Sequence, residues 1–294
     1  MRDSTPDLAT RARELVARLL ELIDGLGGDV DAESVRKVRA NTRRIDVCFT
    51  EAYGVKGRKR VLRQLGSLRR CAGKLRDVDV QLGILAKLDS YDGGPVGDFE
   101  ADRGLLHGHL RSRREKRLQQ LRAGASRELG KGLRKRLNRV VESITELHSG
   151  IEIDAHSAAE AARIRFLALV QHMPTDEHHL HEVRIACKSL RYGLEPLVEA
   201  EAQAVYKLIK SALDAIGDWH DWVTLRDLGE HRLARPDSPL NAFLRSETDR
   251  FYAAALRTVR SVRDELSDMA RDSVRAPARR PSAEKQSNDE AIAG

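Results

Sequence analysis

The chain has 294 residues, of which 33% are charged and 4% aromatic, with a net charge of +7 and a pI near 9.4. That length suits one large domain or two smaller ones, each able to bury a core, and the abundance of Leu, Ala, Arg and Glu excludes a sheet-rich fold in favour of helices. No apolar run approaches the length of a bilayer span, and Met1 to Pro6 leads into a charged helix in place of a signal peptide, so a soluble cytoplasmic protein with no membrane partner is expected.

In chain order, Thr5-Pro6-Asp7 predicts a helix start, and Leu8, Ala12, Leu15 and Leu19 carry an apolar stripe to a stop at Gly25 to Gly28. A second helix spans Asp31 to Tyr53 and ends at Gly54. A third runs from about Lys59 to Leu88, with Gly66, Gly73 and Gly83 permitting close packing or a bend. Ser90 to Pro95 reads as a loop. Two very basic helices follow, Asp98 to Ala123 and Arg127 to His148. Four more are predicted over 154–173, 176–198, 201–230 and 237–270, with breaks at Met173-Pro174 and Pro236. Beyond Arg271 the composition turns to Pro, Ala, Ser and mixed charge, which predicts a disordered tail over 272–294. Cys48, Cys71 and Cys187 are odd in number and widely spaced, as core residues in a reducing compartment would be.

The second half restates the first. Arg36-x-x-Arg39-x-x-x-Arg43 reappears about 145 residues later as His181-x-x-Arg184-x-x-x-Lys188-x-x-Arg191, and Gly73 to Asp77 reappears as Gly217 to Asp221. Leu106-x-x-x-Leu110-Arg111-Ser112 is echoed by Leu240-x-x-x-Leu244-Arg245-Ser246. An all-α fold of two pseudo-symmetric antiparallel bundles is therefore expected, from an internal duplication, with halves at 1–150 and 151–271.

The repeated stripe has a helical geometry. At 100° per residue, His181, Arg184, Lys188 and Arg191 fall within an arc of about 80°, and Val183, Cys187, Leu190 and Leu194 within a separate arc of about 60°. Val38, Thr42, Ile45 and Phe49 stand to Arg36, Arg39 and Arg43 in the same way. Each helix is thus expected to pack by one face and present cations on the next. Neither stripe shows the interleaved acids of a salt-bridged surface helix, and residues 31 to 76 hold fourteen Lys/Arg against four Asp/Glu, a surplus of ten. Such a concentration implies a polyanionic partner.

The segment His181-Glu182-Val183-Arg184-Ile185-Ala186-Cys187-Lys188-Ser189-Leu190-Arg191-Tyr192 resembles the signature helix of the CHAD family, the conserved histidine α-helical domains. Leu213 to Asp221 and Leu75 to Val80 resemble that family's Leu-Gly-Asp-x-x-Asp segment and its first-half counterpart, so the resemblance covers roughly residues 7 to 270. It implies two helical bundles around a central basic groove that binds inorganic polyphosphate without turnover, with polyphosphate granules as a location to test. Carried over by position, the groove would be lined by Arg39, Arg43, Arg44, His181, Arg184, Lys188 and Arg191. Arg36 stands where the family usually has histidine and would still hold phosphate as a fork. Asp46 stands where a counterpart of Arg191 is expected, and would either weaken affinity or hold a neighbouring arginine in place.

Tyr192 offers a hydroxyl to phosphate or plugs a helix interface. Asp77, Asp218 and Asp221 read as supports for groove arginines or nearby backbone, and no catalytic residue, metal or other cofactor is assigned. His178 and His181 have metal-compatible spacing, but no Cys or carboxylate completes a set. There is no Gly-x-x-x-x-Gly-Lys-[Ser/Thr] loop, no activated nucleophile and no Glu-x-Glu-x-Lys strand, which argues against an enzyme acting on phosphoanhydrides. The competing partner is a nucleic-acid backbone, disfavoured by the few aromatics available for stacking. Trp219 and Trp222 are expected to pack the second bundle, and the runs Arg111 to Arg117 and Arg134 to Arg139 to coat helices or extend the groove. Oligomeric state is left open.

Overall fold

Four helices begin on an aspartate whose carboxylate accepts a hydrogen bond from a backbone N–H three residues on: Asp7 from Thr10, Asp31 from Ser34, Asp154 from Ser157 and Asp176 from His179. Each satisfies one of the donors that a helix start leaves unpaired. In the computed structural model, which describes residues 7–88, 98–148, 154–233, 235 and 238–275, the helices are α1 (Leu8–Asp24), α2 (Ala32–Glu51), α3 (Arg58–Lys87), α4 (Asp98–Gly130), α5 (Leu133–His148), α6 (Ala155–Leu169), α7 (Glu177–Leu194), α8 (Ala200–Arg232) and α9 (Pro239–Arg275). A short 3-10 turn, Gly25–Gly27, follows α1. No strand occurs among the described residues, so the all-α expectation holds.

Turns carry their own chemistry. Gly54 and Gly57 adopt φ of 79° and 83° between α2 and α3, a left-handed conformation open to glycine at no steric cost. Arg58 then folds back, and its guanidinium donates to the carbonyls of Phe49, Thr50 and Ala52 at the C-terminus of α2.

Several expected boundaries move: α5 starts at Leu133 and not at Arg127, and α6 and α7 end at Leu169 and Leu194, short of 173 and 198. The helix predicted to end at Ala123 continues to Gly130, and the chain reverses at Gly132, whose φ is 77°. Gly124 is a packing residue and no stop: a Cβ there would lie 3.3 Å from Cys71 Sγ on α3. The last helix, predicted to end at 270, continues as α9 to Arg275, with Arg271 paired to Asp268 at 2.9 Å. The Thr5-Pro6 start, the Ser90 to Pro95 loop, the Pro236 break and the tail at 276–294 lie outside the described residues.

Each half buries its own core. Val16, Leu19, Val38, Ile45, Phe49 and Leu65 belong to the first, and Phe166, Val183, Cys187, Ile209, Ile216 and Trp219 to the second. A third core spans both halves, where the far ends of α3, α4, α8 and α9 bring together Leu85, Leu106, Leu110, Trp222, Leu225 and Leu244. Trp219 packs the second bundle as expected, whereas Trp222 belongs to this shared core. The halves also touch through helices of the same rank, α2 with α7, α3 with α8 and α4 with α9. Cys48 and Cys187 are fully buried, and burial pushes both thiols up to about 12, which keeps them protonated. Cys71 is only partly buried.

The close approach of α8 and α9 gives a stability test. A Cβ on Gly229 would fall 2.6 Å from Asn241 Oδ1 and 3.0 Å from Leu244 Cδ1, whereas one on Gly108 would meet nothing within 4 Å. Gly229→Ala is expected to destabilise the fold by about 1–3 kcal/mol through overpacking. Gly108→Ala is expected to stabilise it by up to about 1 kcal/mol through helix propensity. Urea denaturation of the two variants beside the parent chain reads both signs.

Candidate functional site

The packing stripes of α2 and α7 behave as their spacing requires: Val38, Thr42, Ile45 and Phe49, and Val183, Cys187, Leu190 and Leu194, are all buried. Turning those faces inward rotates the basic faces toward one another where the helices meet. The result is a cleft of about 280 Å³. Arg39 and Arg43 line it from α2, Arg69 from α3, and Arg184, Lys188, Arg191 and Tyr192 from α7; Asp214, Gly217, Asp218 and Asp221 of α8 form the opposite wall.

The two glycine steps have physical roles here. A Cβ on Gly73 would lie 3.6 Å from Arg39 Nε, so that arginine passes directly over α3. Gly217 has open space where a side chain would project, which keeps the α8 wall recessed.

Among the described residues, the side chains of Arg39, Arg184, Lys188 and Arg191 make no hydrogen bond or ion pair with any protein acceptor. The Nε atoms of Arg184 and Arg191 are buried without a partner. The Arg191 guanidinium lies over the Tyr192 ring, 4.2 Å from its centroid, and Tyr192 is 6% exposed, so this tyrosine plugs the interface and props an arginine at once.

Crowding of like charge shows in the titration of the site. Lys188 is pulled down to about 7, first by burial and then by Arg184, Arg39 and Arg43, with only Asp77 opposing. Burial also lowers Arg184 and Arg43. His181 is lowered by burial and then by Arg184 and Lys188. His220, whose ring centroid is 5.1 Å from that of His181, is pushed down to about 3 by burial and then by Arg184, His181, Lys188 and Arg39. Asp221 is raised to about 6 by burial, against the pull of Arg184 and Arg76. Desolvation raises Asp77 and Asp218 as well.

Several expected positions are corrected. Arg36 does not face the cleft: it is exposed and donates from Nε and Nη2 to Glu33 at 2.6 and 2.7 Å. Arg44 donates in the same forked manner to Glu195 at 2.7 and 2.6 Å, tying α2 to the residue that follows α7. The acids missing from the stripes thus come from one turn before and from the other half of the chain. Asp46 holds Arg69 at 2.7 Å and lies 3.7 Å from Arg43, fixing two arginines at the cleft edge. Among the described residues, Asp77, Asp218 and Asp221 make no hydrogen bond to an arginine; Asp218 and Asp221 face the cleft themselves. His181 sits beside His220 and is not among the residues lining this cleft.

Arg69 and His220 do not stand out in the sequence. The only signal for Arg69 is the charge surplus of its segment, and for His220 its place inside the Gly217 to Asp221 step. Within the other basic runs, Arg114 pairs with Asp79 at 2.7 Å, Arg117 bonds Gln120 through one guanidinium nitrogen, and Arg134 pairs with Asp24. No group of three His, Cys, Asp or Glu that could hold a metal occurs among the described residues, and no described helix is long and apolar enough to cross a membrane.

The family model for the CHAD domain matches residues 10–230. Among solved structures, the CHAD domain from the plant Ricinus communis superposes with a TM-score of 0.66 at 17% identity, covering 90% of this chain and 93% of that one. PptA from Streptomyces chartreusis superposes at 0.50 with 16% identity, covering 90% and 98%. No curated protein matches the chain.

Proposed function

The chain belongs to the CHAD family, and from that premise we propose that its cleft binds inorganic polyphosphate without turning it over. The observation that carries this reading is the set of cleft cations left without acceptors, Arg39, Arg184, Lys188 and Arg191. Holding such groups together unpaired costs free energy that a polyanion recovers. A polyphosphate chain carries about one charge per unit, so it rewards a row of donors. Arg184 to Arg191 extends about 10 Å along α7, enough to meet consecutive phosphates. Arginine forks bond non-bridging oxygens in pairs, and Lys188 adds a point charge. Such a module would place the protein at polyphosphate granules.

The test is titration of labelled long-chain polyphosphate at two salt concentrations, with duplex DNA as competitor and orthophosphate release followed in the presence of Mg²⁺. With four or five phosphates neutralised, affinity is expected to fall about a hundredfold for a fourfold rise in salt. DNA is expected to compete poorly, and no orthophosphate to appear. Equal displacement by DNA would mark a general nucleic-acid backbone binder, and steady phosphate release an enzyme.

A further inference from the structure

The basic cleft has a neighbour. A second cleft of about 560 Å³ lies between α3 and α8, with Phe251 of α9 at its side. It shares Asp218 and Asp221 with the first. Its apolar lining includes Val80, Ile84 and Trp222. Asp79 also lines it, with a side chain only 2% exposed: Oδ1 accepts from Arg114 Nε at 2.7 Å, and Oδ2 is buried with no donor.

Across the shared wall the chemistry changes in a fixed order. Unpaired cations come first, then two carboxylates that receive no hydrogen bond among the described residues, then a surface where Val80, Ile84 and Trp222 stand beside Arg76, Lys87 and a buried acceptor. Polyphosphate leaves the carboxylates and the buried acceptor unused, because its oxygens repel carboxylates and it carries no donor. A ligand that uses all of them has phosphates at one end, hydroxyl donors in the middle, and a flat ring bearing an exocyclic amino group at the other. We propose that the two clefts form one composite site for a nucleoside polyphosphate whose base carries an amino group. The phosphates meet Arg39, Arg184 and Lys188, the ribose hydroxyls donate to Asp218 and Asp221, and the amino group donates to Asp79 Oδ2. The phosphate half rests on the reading of the basic cleft given above; the nucleoside half rests on the second cleft alone.

Binding of tripolyphosphate, ATP and UTP is compared by calorimetry in EDTA, for the parent chain and for Gly83→Phe. Gly83 lines only the second cleft, and a Cβ there meets nothing within 4 Å, so the phenyl ring fills the cleft without crowding the helix. ATP is expected to bind at least about tenfold tighter than tripolyphosphate despite carrying no more charge. UTP, whose base lacks an amino group, is expected to fall near tripolyphosphate. Gly83→Phe is expected to bring ATP down to the level of tripolyphosphate while leaving tripolyphosphate within about twofold of its parent value; Val80→Trp serves if circular dichroism shows that variant misfolded. ATP no tighter than tripolyphosphate, UTP equal to ATP, or ATP unmoved by the filled cleft would each overturn the proposal. Failure of tripolyphosphate and long chains to bind, with ATP still bound, would overturn the polyphosphate reading and leave this one standing.

Discussion

Arg184→Glu combined with Lys188→Glu is expected to abolish polyphosphate binding, while Arg36→Ala leaves it within about twofold of the parent protein. Both changes fall on the repeated basic stripe, and the sequence offers no reason to separate them. The structure does. Arg184 and Lys188 line the cleft without any acceptor, whereas both donors of the Arg36 fork are occupied by Glu33 on an exposed helix face. Removing one charge-assisted hydrogen bond to phosphate costs about 1.5–3 kcal/mol. Removing two costs about 3–6 kcal/mol, or roughly a 10² to 10⁴-fold drop in affinity, and the added carboxylates repel phosphate besides. Arg44→Ala is a third kind of change: it strands Glu195 between the halves, so it is expected to lower stability in urea more than it lowers affinity. A double variant that binds like the parent would remove the cleft from consideration.

Raising the pH from about 6 to about 8.5 is expected to weaken polyphosphate binding, with Lys188 responsible for the upper part of the fall. The sign follows from the free and bound states. In the free protein Lys188 titrates at about 7 because burial and the neighbouring Arg184, Arg39 and Arg43 outweigh Asp77. Bound phosphates favour its ammonium form, so its pKa rises on binding. Below 7 the lysine is charged in both states and affinity is full; above 7 it must take up a proton to bind, and affinity falls until the bound-state pKa is passed. Asp221, raised to about 6, adds to the same trend at the lower end, since an incoming anion favours its neutral form. Proton uptake at pH 8, measured by calorimetry in buffers of different ionisation heat, is the direct check. Lys188→Arg is expected to remove the slope above pH 7, because guanidinium does not titrate there, and Asp221→Asn the slope below it.

The same depressed value reverses for folding. Between 7 and 10.5 the unfolded chain holds the Lys188 proton and the folded chain does not, so the stability of the unliganded protein rises with pH through that window. At and below pH 7 the buried ammonium opposes folding in full. Lys188→Met is therefore expected to stabilise the free protein by about 1–3 kcal/mol while weakening polyphosphate binding. Opposite signs in the two measurements would separate a residue kept for ligand from one kept for structure.

Much of this molecule is set by local rules that a linear chain displays. Helix identity, the aspartate caps and the buried faces of α2 and α7 follow from 3.6-residue periodicity and from orphaned N–H groups, so Val38, Phe49, Val183 and Leu194 are legible as core. The wheel places Arg184, Lys188 and Arg191 on one basic face together with His181, but does not tell which of the four reach the cleft. What the chain does not display is which long side chains find partners far away in sequence. Arg44 is taken by Glu195, 151 positions on, and Asp46 by Arg69 across a helix pair. Gly124 resembles a helix stop until Cys71 is seen packed against it. Likewise, Trp222 joins a core built from both halves, and Asp218 and Asp221 stand between two clefts that exist only once α3 meets α8. Periodicity is a property of one helix and survives in sequence; charge pairing and cavities depend on the distance between helices, which only the packed fold decides.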